Sequence, residues 1–310
     1  MKRLPFFLLC VFSLLGADYD CIVIGSSPLL LFEALYHHAL GKKVLILEEG
    51  CCCGGAWQSV NICGILHADL GCHEIGSSKE LKEFLEIYGG CSFIEVEPGH
   101  NFYFSGGCYE LVHNLEQRIA LSSIHLLKNH RVDRVIIDEA NQMTIVESGS
   151  EKFTGNKVYT PSYSYFPIGN EALKELKKTK YYHLYLLIQD PTPPKFSYRA
   201  GIANASRMMN LTPFVNLTGT GEQLIIFQTW STEKAGEIFL TELKMQNLID
   251  PGSYILKEEW CIYEQYPSTS FPQKSPYFEQ LQTFDFRTIT QHMARWKEAL
   301  ATFNNAIRKQ

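Results

Sequence analysis

Gly25, Ser26, Ser27 and Pro28 follow directly on the apolar run YDCIVI, and Glu48 closes the later run VLILE. A glycine with small neighbours after a first strand lets backbone N–H groups approach a pyrophosphate. The N-terminus of the next helix then faces the same negative charge. An acid closing the second strand stands where ribose hydroxyls need an acceptor. The chemistry within reach of these residues is therefore the holding of a dinucleotide. Against the pattern G-x-G-x-x-G, however, the second glycine is Ser27 and the third is Leu30. One side chain then stands where backbone should approach phosphate, and another where helix should press on strand. If Leu30 pushes the helix off the strand, the helix dipole no longer points at the phosphates. Taken alone, the unit reads equally as a nucleotide site or as a βαβ scaffold.

Other reactive residue types have plainer readings beside the sharp ones. Cys51, Cys52 and Cys53 are consecutive, and neighbouring cysteines rarely meet disulfide geometry with each other. They could form a covalent or redox site, or simply a loop of small residues passing a ribose. Cys63, His67, Cys72 and His73 match no common zinc spacing, so no metal site is expected. His73 is the candidate catalytic residue, because an imidazole moves protons near neutral pH. The alternative is a structural histidine bonded to backbone. His37 and His38 fall on the first helix and are assigned no role. Trp57 could stack on a ring system or pack beneath a turn.

These residues need elements to hold them. Tyr19 to Ile24 is rich in β-branched residues and reads as a buried strand. Leu29 to Leu40 is densely apolar and stops at Gly41, and Val44 to Leu47 gives a second strand, completing a βαβ unit. Ser77 to Gly89 predicts a helix with Ser78 as N-cap, and Tyr109 to Leu121 another. Arg131 to Asp138, Gln142 to Glu147 and Lys157 to Thr160 read as strands. Tyr182 to Tyr266 is strand-rich with one helix from Glu233 to Gln246, and a last helix spans Phe286 to Arg308.

After Glu48 comes EGCCCGGAWQS, whose paired glycines resemble the E-x5-GG signature of the FAD-containing amine oxidases and their relatives. HADLGCHEI is similar to the D-x-G-x-H stretch of that superfamily, FSGGCYELVHNL to its later Gly-Gly turn and helix, and RVDRVIID to its adenine-side strand. The matches keep their order across residues 18 to 138. The resemblance implies an α/β fold: an FAD/NAD(P)-binding Rossmann-like domain with an interleaved, strand-rich α+β substrate domain. It implies an adenine and ribose end near Glu48 and Val132, and a pyrophosphate over Gly25, Ser26, Ser27 and Pro28. The isoalloxazine would lie toward Gly54, Gly55, Ala56, Trp57, Leu70 and Gly71, as far as His73. Members usually return near the C-terminus with a strand ending in Gly-Asp. Here Gln282 and Thr283 stand at that place, so the acid is missing unless Asp285 substitutes.

The expected division is residues 18–160 for the main dinucleotide-binding part, 161–275 for the substrate domain and 276–310 for the return. Residues 1–17 read as a signal peptide or an N-terminal arm. Lys2 and Arg3 precede an apolar run too short to span a bilayer. A cleaved signal would send the chain to the secretory route; an arm would leave it cytoplasmic. Asn204, Asn210 and Asn216 open glycosylation sequons that matter only on the first route. A chain that is 45% hydrophobic and 20% charged, with a formal charge of -5, gives no case for nucleic acid.

Two functions from different classes follow. One is a flavin-dependent oxidoreductase acting on a small or lipid-like substrate. The other is a degenerate binder that has lost FAD and holds a protein partner, as the Rab GDP dissociation inhibitors do. Ser27, Leu30 and the missing Gly-Asp favour the second.

Overall fold

The computed structural model describes residues 17–71, 78–97, 101–138, 140–160, 179–196, 198–200, 203–265, 281–283 and 289–307. The chain opens with β1 (Tyr19–Ile24), α1 (Pro28–Ala39) and β2 (Val44–Glu48). Two hairpins follow, β3 (Ser59–Ile62) with β4 (Ile65–Asp69), then β5 (Phe93–Glu97) with β6 (Asn101–Phe104), separated by α2 (Lys79–Phe84). Next come α3 (Gly107–Ala120), β7 (His125–Lys128), β8 (Arg134–Asp138), β9 (Met143–Ser148) and β10 (Glu151–Thr160). The strand-rich part holds β11 (Thr179–Gln189), β12 (Tyr198–Ala200), β13 (Arg207–Asn210), β14 (Glu222–Thr229), α4 (Gly236–Met245) and β15 (Tyr254–Gln265). The chain then returns with β16 (Leu281–Thr283) and α5 (Ile289–Ile307).

The first sheet runs β7-β2-β1-β10-β9-β8, with β16 also paired to β10. Its parallel part is β7-β2-β1-β10-β16, the strand order of a doubly wound nucleotide-binding fold, in which ligands sit beyond the carboxyl ends of the strands. Along its edge away from β1, β10 serves two partners: its first half pairs antiparallel with β9, and its second half pairs parallel with β16, Thr160 opposite Thr283. Side chains of β1 alternate between two buried faces, as expected of a parallel strand covered on both sides. Cys21 and Val23 join the core under α1, whereas Ile22 and Ile24 join a second cluster with Val135 of β8 and Val146 of β9. The β8–β9 meander therefore covers one face of the parallel strands and helices cover the other.

The second sheet is antiparallel, β12-β13-β14-β11-β15. One face packs on α4 through Phe239, Leu240 and Leu243. The other, with Tyr185, Leu187 and Ile226, shares the large core of the first sheet. Strands from late in the chain thus bury themselves against the early hairpins, which gives the interleaved Rossmann-like α/β architecture expected from the sequence.

Several sequence expectations need adjusting. α1 starts at Pro28, because proline suits the first helical turn, where its missing N–H costs no bond. The helix expected over Ser77 to Gly89 is α2 followed by a π-helical stretch, Leu85–Gly89, ended by left-handed Gly90. Ser78 does cap it, accepting from Leu81 N at 3.2 Å. Val132 precedes β8 rather than lying in a strand. The helix expected from Glu233 begins only at Gly236, with Ala235 extended before it. Asn210 is 0% exposed and donates to Gln223 Oε1 at 2.8 Å, so the folded chain does not present it as a glycosylation acceptor. No helix among the described residues is long and apolar enough to cross a membrane.

Candidate functional site

The carboxyl ends of β1 and β2 lie side by side, Ile24 opposite Leu47, so the turn after β1 and the acid after β2 meet. Gly25 has φ +93°, and its N–H donates to Leu47 O at 2.8 Å. Ser27 is extended as the N-cap, and Leu31 N donates back to Ser27 O at 3.0 Å, so α1 begins immediately after the turn. Ser26 is the hub. Its hydroxyl, 1% exposed, donates to Glu48 Oε2 at 2.5 Å and accepts from Gly54 N at 3.2 Å. Glu48 Oε1 accepts from Gly50 N at 2.7 Å. The carboxylate is thus oriented from both oxygens at the end of β2.

Gly54 and Gly55 both take positive φ, +115° and +58°, and Gly54 N also donates to Ser26 O at 3.0 Å. A Cβ on Gly54 would sit 3.1 Å from Val112 of α3, so the close approach of loop to helix adds to the conformational need for glycine here. Gly55, Ala56 and Trp57 form a 3-10 turn, and Trp57 meets Phe104 edge-on at 6.2 Å, packing beneath the Gly-Gly turn. Leu70 N donates to Gln58 O at 3.0 Å, which draws Leu70 and Gly71 toward this turn. Val132 is buried with Ile24 and Leu47 beneath the Glu48 end of the sheet. His130 N donates to Glu48 O at 2.8 Å and Asn129 N to Gly50 O at 3.0 Å, so the segment leading to Val132 runs beside the same acid.

Leu30 does not push α1 away. It is 0% exposed and belongs to the same core cluster as Val23 and Ile46, so the helix seats on β1 and β2 with a leucine between them. The helix dipole therefore still begins at the turn, although Pro28 removes one N–H from its first turn. β16 pairs with β10 as the fifth parallel strand, which puts Gln282 and Thr283 in the place expected of the Gly-Asp strand. His73, Cys72 and Asp285 lie outside the described residues. Among the described residues no group of three His, Cys, Asp or Glu side chains could hold a metal ion.

Sequence reasoning missed a second cluster beside this site. Asp69, ending β4, is 2% exposed and accepts from Cys108 N, the start of α3, at 2.8 Å. Tyr103 donates its hydroxyl to the other carboxylate oxygen, and Tyr185 of β11 donates to Asp69 O at 2.6 Å. A Cβ on Gly107 would sit 2.7 Å from Asp69 Oδ1, so only glycine admits the carboxylate to the helix end. Burial, then the charge of Asp69, raises the Tyr103 hydroxyl and the Cys108 thiol well above their ordinary ranges. Both stay protonated, so neither is a ready nucleophile. The aspartate in HADLG is the signal for it in the sequence.

No protein-family model matches the sequence, and no curated protein matches it. Solved structures do match. A reduced UDP-galactopyranose mutase superposes with a TM-score of 0.65 at 8% identity, over 94% of this chain and 96% of that one. An oxidoreductase from Methanosarcina mazei gives 0.59 at 11% identity, over 85% and 93%. A Rab GDI from Plasmodium falciparum gives 0.51 at 13% identity, over 92% and 98%. The chain shares its fold with these proteins. That fold is shared by oxidoreductases and by a Rab GDI, so the fold alone does not choose between catalysis and binding.

Proposed function

We propose that this chain binds FAD and acts as a flavin-dependent oxidoreductase on a small or lipid-like substrate held by the strand-rich part, residues 161–275. The observation that carries this reading is the network joining Ser26, Glu48 and Gly54 at the carboxyl ends of β1 and β2. A βαβ unit kept only as scaffold has no need of an acid buried to 8% exposure and oriented at both oxygens. Glu48 would accept from the ribose hydroxyls, and Gly25, Ser26, Ser27 and Pro28 with the start of α1 would face the pyrophosphate. Val132 would meet the adenine through its backbone. Gly54, Gly55, Ala56, Trp57, Leu70 and Gly71 would border the flavin ring. Bound flavin supplies a hydride acceptor, while the chain supplies orientation and exclusion of water. His73 is the residue proposed to move a proton there.

A non-catalytic binding role is the second reading, favoured by Ser27 and Pro28 in the proposed phosphate turn and by Gln282-Thr283 in place of Gly-Asp. The deciding experiment is a visible absorbance spectrum of the purified full chain, before and after incubation with FAD and desalting. Flavin bands that co-elute with the protein, and that Glu48→Ala removes, support the first reading. A folded protein that stays colourless after incubation overturns it and leaves the binder.

A further inference from the structure

On the loop between Glu48 and Gly54, Cys51 and Cys52 are both exposed, and their sulfurs lie 3.6 Å apart. Cys53 is different: it is 3% exposed, its thiol contacts Ser26, and burial above all pushes that thiol up to about 11. We propose that Cys51 and Cys52 form a redox modification site, a vicinal dithiol that a peroxide oxidises to a disulfide and a thiol reductant reopens.

Proximity and access make the reaction possible, and backbone geometry makes it reversible. Consecutive Cα atoms stand about 3.8 Å apart across a trans peptide, closer than the roughly 4.4–6.8 Å that disulfides usually bridge. Closure must twist the Cys51–Cys52 peptide, and a strained disulfide is easily reduced. Such a bond suits a switch and not a structural staple. In the first step the Cys51 thiolate attacks a peroxide oxygen; the O–O bond breaks, Cys51 becomes a sulfenic acid, and hydroxide leaves to take up a proton as water. In the second, Cys52 sulfur attacks Cys51 sulfur; the S–S bond forms, the S–O bond breaks, and a second water departs with the Cys52 proton. Two thiols lose two electrons and two protons, and hydrogen peroxide is reduced to two waters. Cys52 keeps its proton until that second step, because its hydrogen bond to Cys51 and then burial raise its thiol.

The site is wired to Glu48. Cys52 O accepts from Gln58 Nε2 at 3.0 Å, and Gly50, just before the pair, donates to Glu48. Twisting the intervening peptide disturbs both bonds, so oxidation should weaken the ribose end of the proposed FAD site; this consequence, unlike the modification itself, rests on that reading.

The test treats the reduced full chain with hydrogen peroxide, alkylates remaining thiols, and maps the peptide carrying Cys51 to Cys53 by tandem mass spectrometry. The expected product lacks two hydrogens, is unalkylated at Cys51 and Cys52 only, and regains both thiols with dithiothreitol. Cys51→Ser and Cys52→Ser, both at exposed positions, should each abolish it, with circular dichroism showing the fold retained. Free thiols after oxidation, a bond involving Cys53, or irreversible sulfonic acid would overturn the proposal. FAD titration of the oxidised and reduced forms separates the two ideas. Disulfide without change in affinity removes only the coupling to Glu48, and absence of FAD binding in both forms counts against the proposed function while the masses still judge the dithiol.

Discussion

Glu33 on α1 and Arg295 on α5 stand 262 positions apart and form a two-bonded ion pair, with Arg295 Nη1 donating to Oε1 at 3.0 Å and Nη2 to Oε2 at 2.6 Å. Trp296 Nε1 donates to the same carboxylate at 2.8 Å, and His37 lies 3.0 Å from its other oxygen. Glu33 is 0% exposed, so this cluster replaces the water that a carboxylate otherwise needs. It fastens the returning C-terminal helix to the helix that begins at the turn after β1. His37, given no role from its position in the sequence, proves part of the fastening.

Removing the cation should therefore cost more than a surface ion pair would. Arg295→Ala leaves Glu33 buried without its charge partner, and we expect a loss of about 3 kcal/mol, the low end for a broken buried pair, because Arg295 remains 32% exposed. Urea unfolding measures it. A midpoint shift no larger than that of Lys297→Ala would show the pair to be marginal.

The same carboxylate sets an acid limit. Burial alone would raise it, but the His37 hydrogen bond, the Arg295 charge and the Trp296 hydrogen bond outweigh burial and hold it below its ordinary value. A group depressed in the folded state stabilises above its unfolded pKa, about 4.3, and that contribution fades as pH falls toward the folded value. Thermal melts of the wild type across the acid range should drop more steeply than those of Glu33→Gln. Parallel curves would remove Glu33 from the acid response.

The turn after β1 offers a clean test of the proposed FAD affinity. Ser27 is already extended with φ -60°, so Ser27→Gly removes a side chain without needing a new backbone conformation. Leu30→Gly is a poor companion, since it empties a fully buried core position and should cost at least about 3 kcal/mol. Ser27→Gly alone is expected to tighten FAD binding severalfold if the hydroxyl crowds the phosphate. Unchanged affinity in a fluorescence titration would mean that Ser27 is not limiting.

Asp69 needs two acceptor oxygens. Asp69→Asn turns an NH2 toward either Cys108 N or the Tyr103 hydroxyl, and should destabilise by about 2–3 kcal/mol, whereas Tyr103→Phe, which removes one donor, should cost about 1–2 kcal/mol. Amide hydrogen exchange at the start of α3 should quicken in Asp69→Asn and stay slow in Tyr103→Phe. Equal protection in both would argue against Asp69 as the cap.

The sequence by itself determined the βαβ unit, the ends of its strands and a last helix, and the resemblance pointed to the Gly54-Gly55 turn. Each of these is written in local chemistry: β-branched runs, a glycine where φ turns positive, an acid at a strand end. It also grouped Ser26, Glu48 and Gly54 around one expected ligand, but not that a single hydroxyl would join them. Only the tertiary structure decided that Leu30 could replace a glycine, because that depends on whether space exists between α1 and the strands beneath it. Likewise Glu33, Arg295 and Trp296, or Asp69, Tyr103 and Tyr185, carry no shared spacing in the chain. A buried charge accepts whichever donors the fold delivers, and long-range packing, which no local pattern encodes, delivered these.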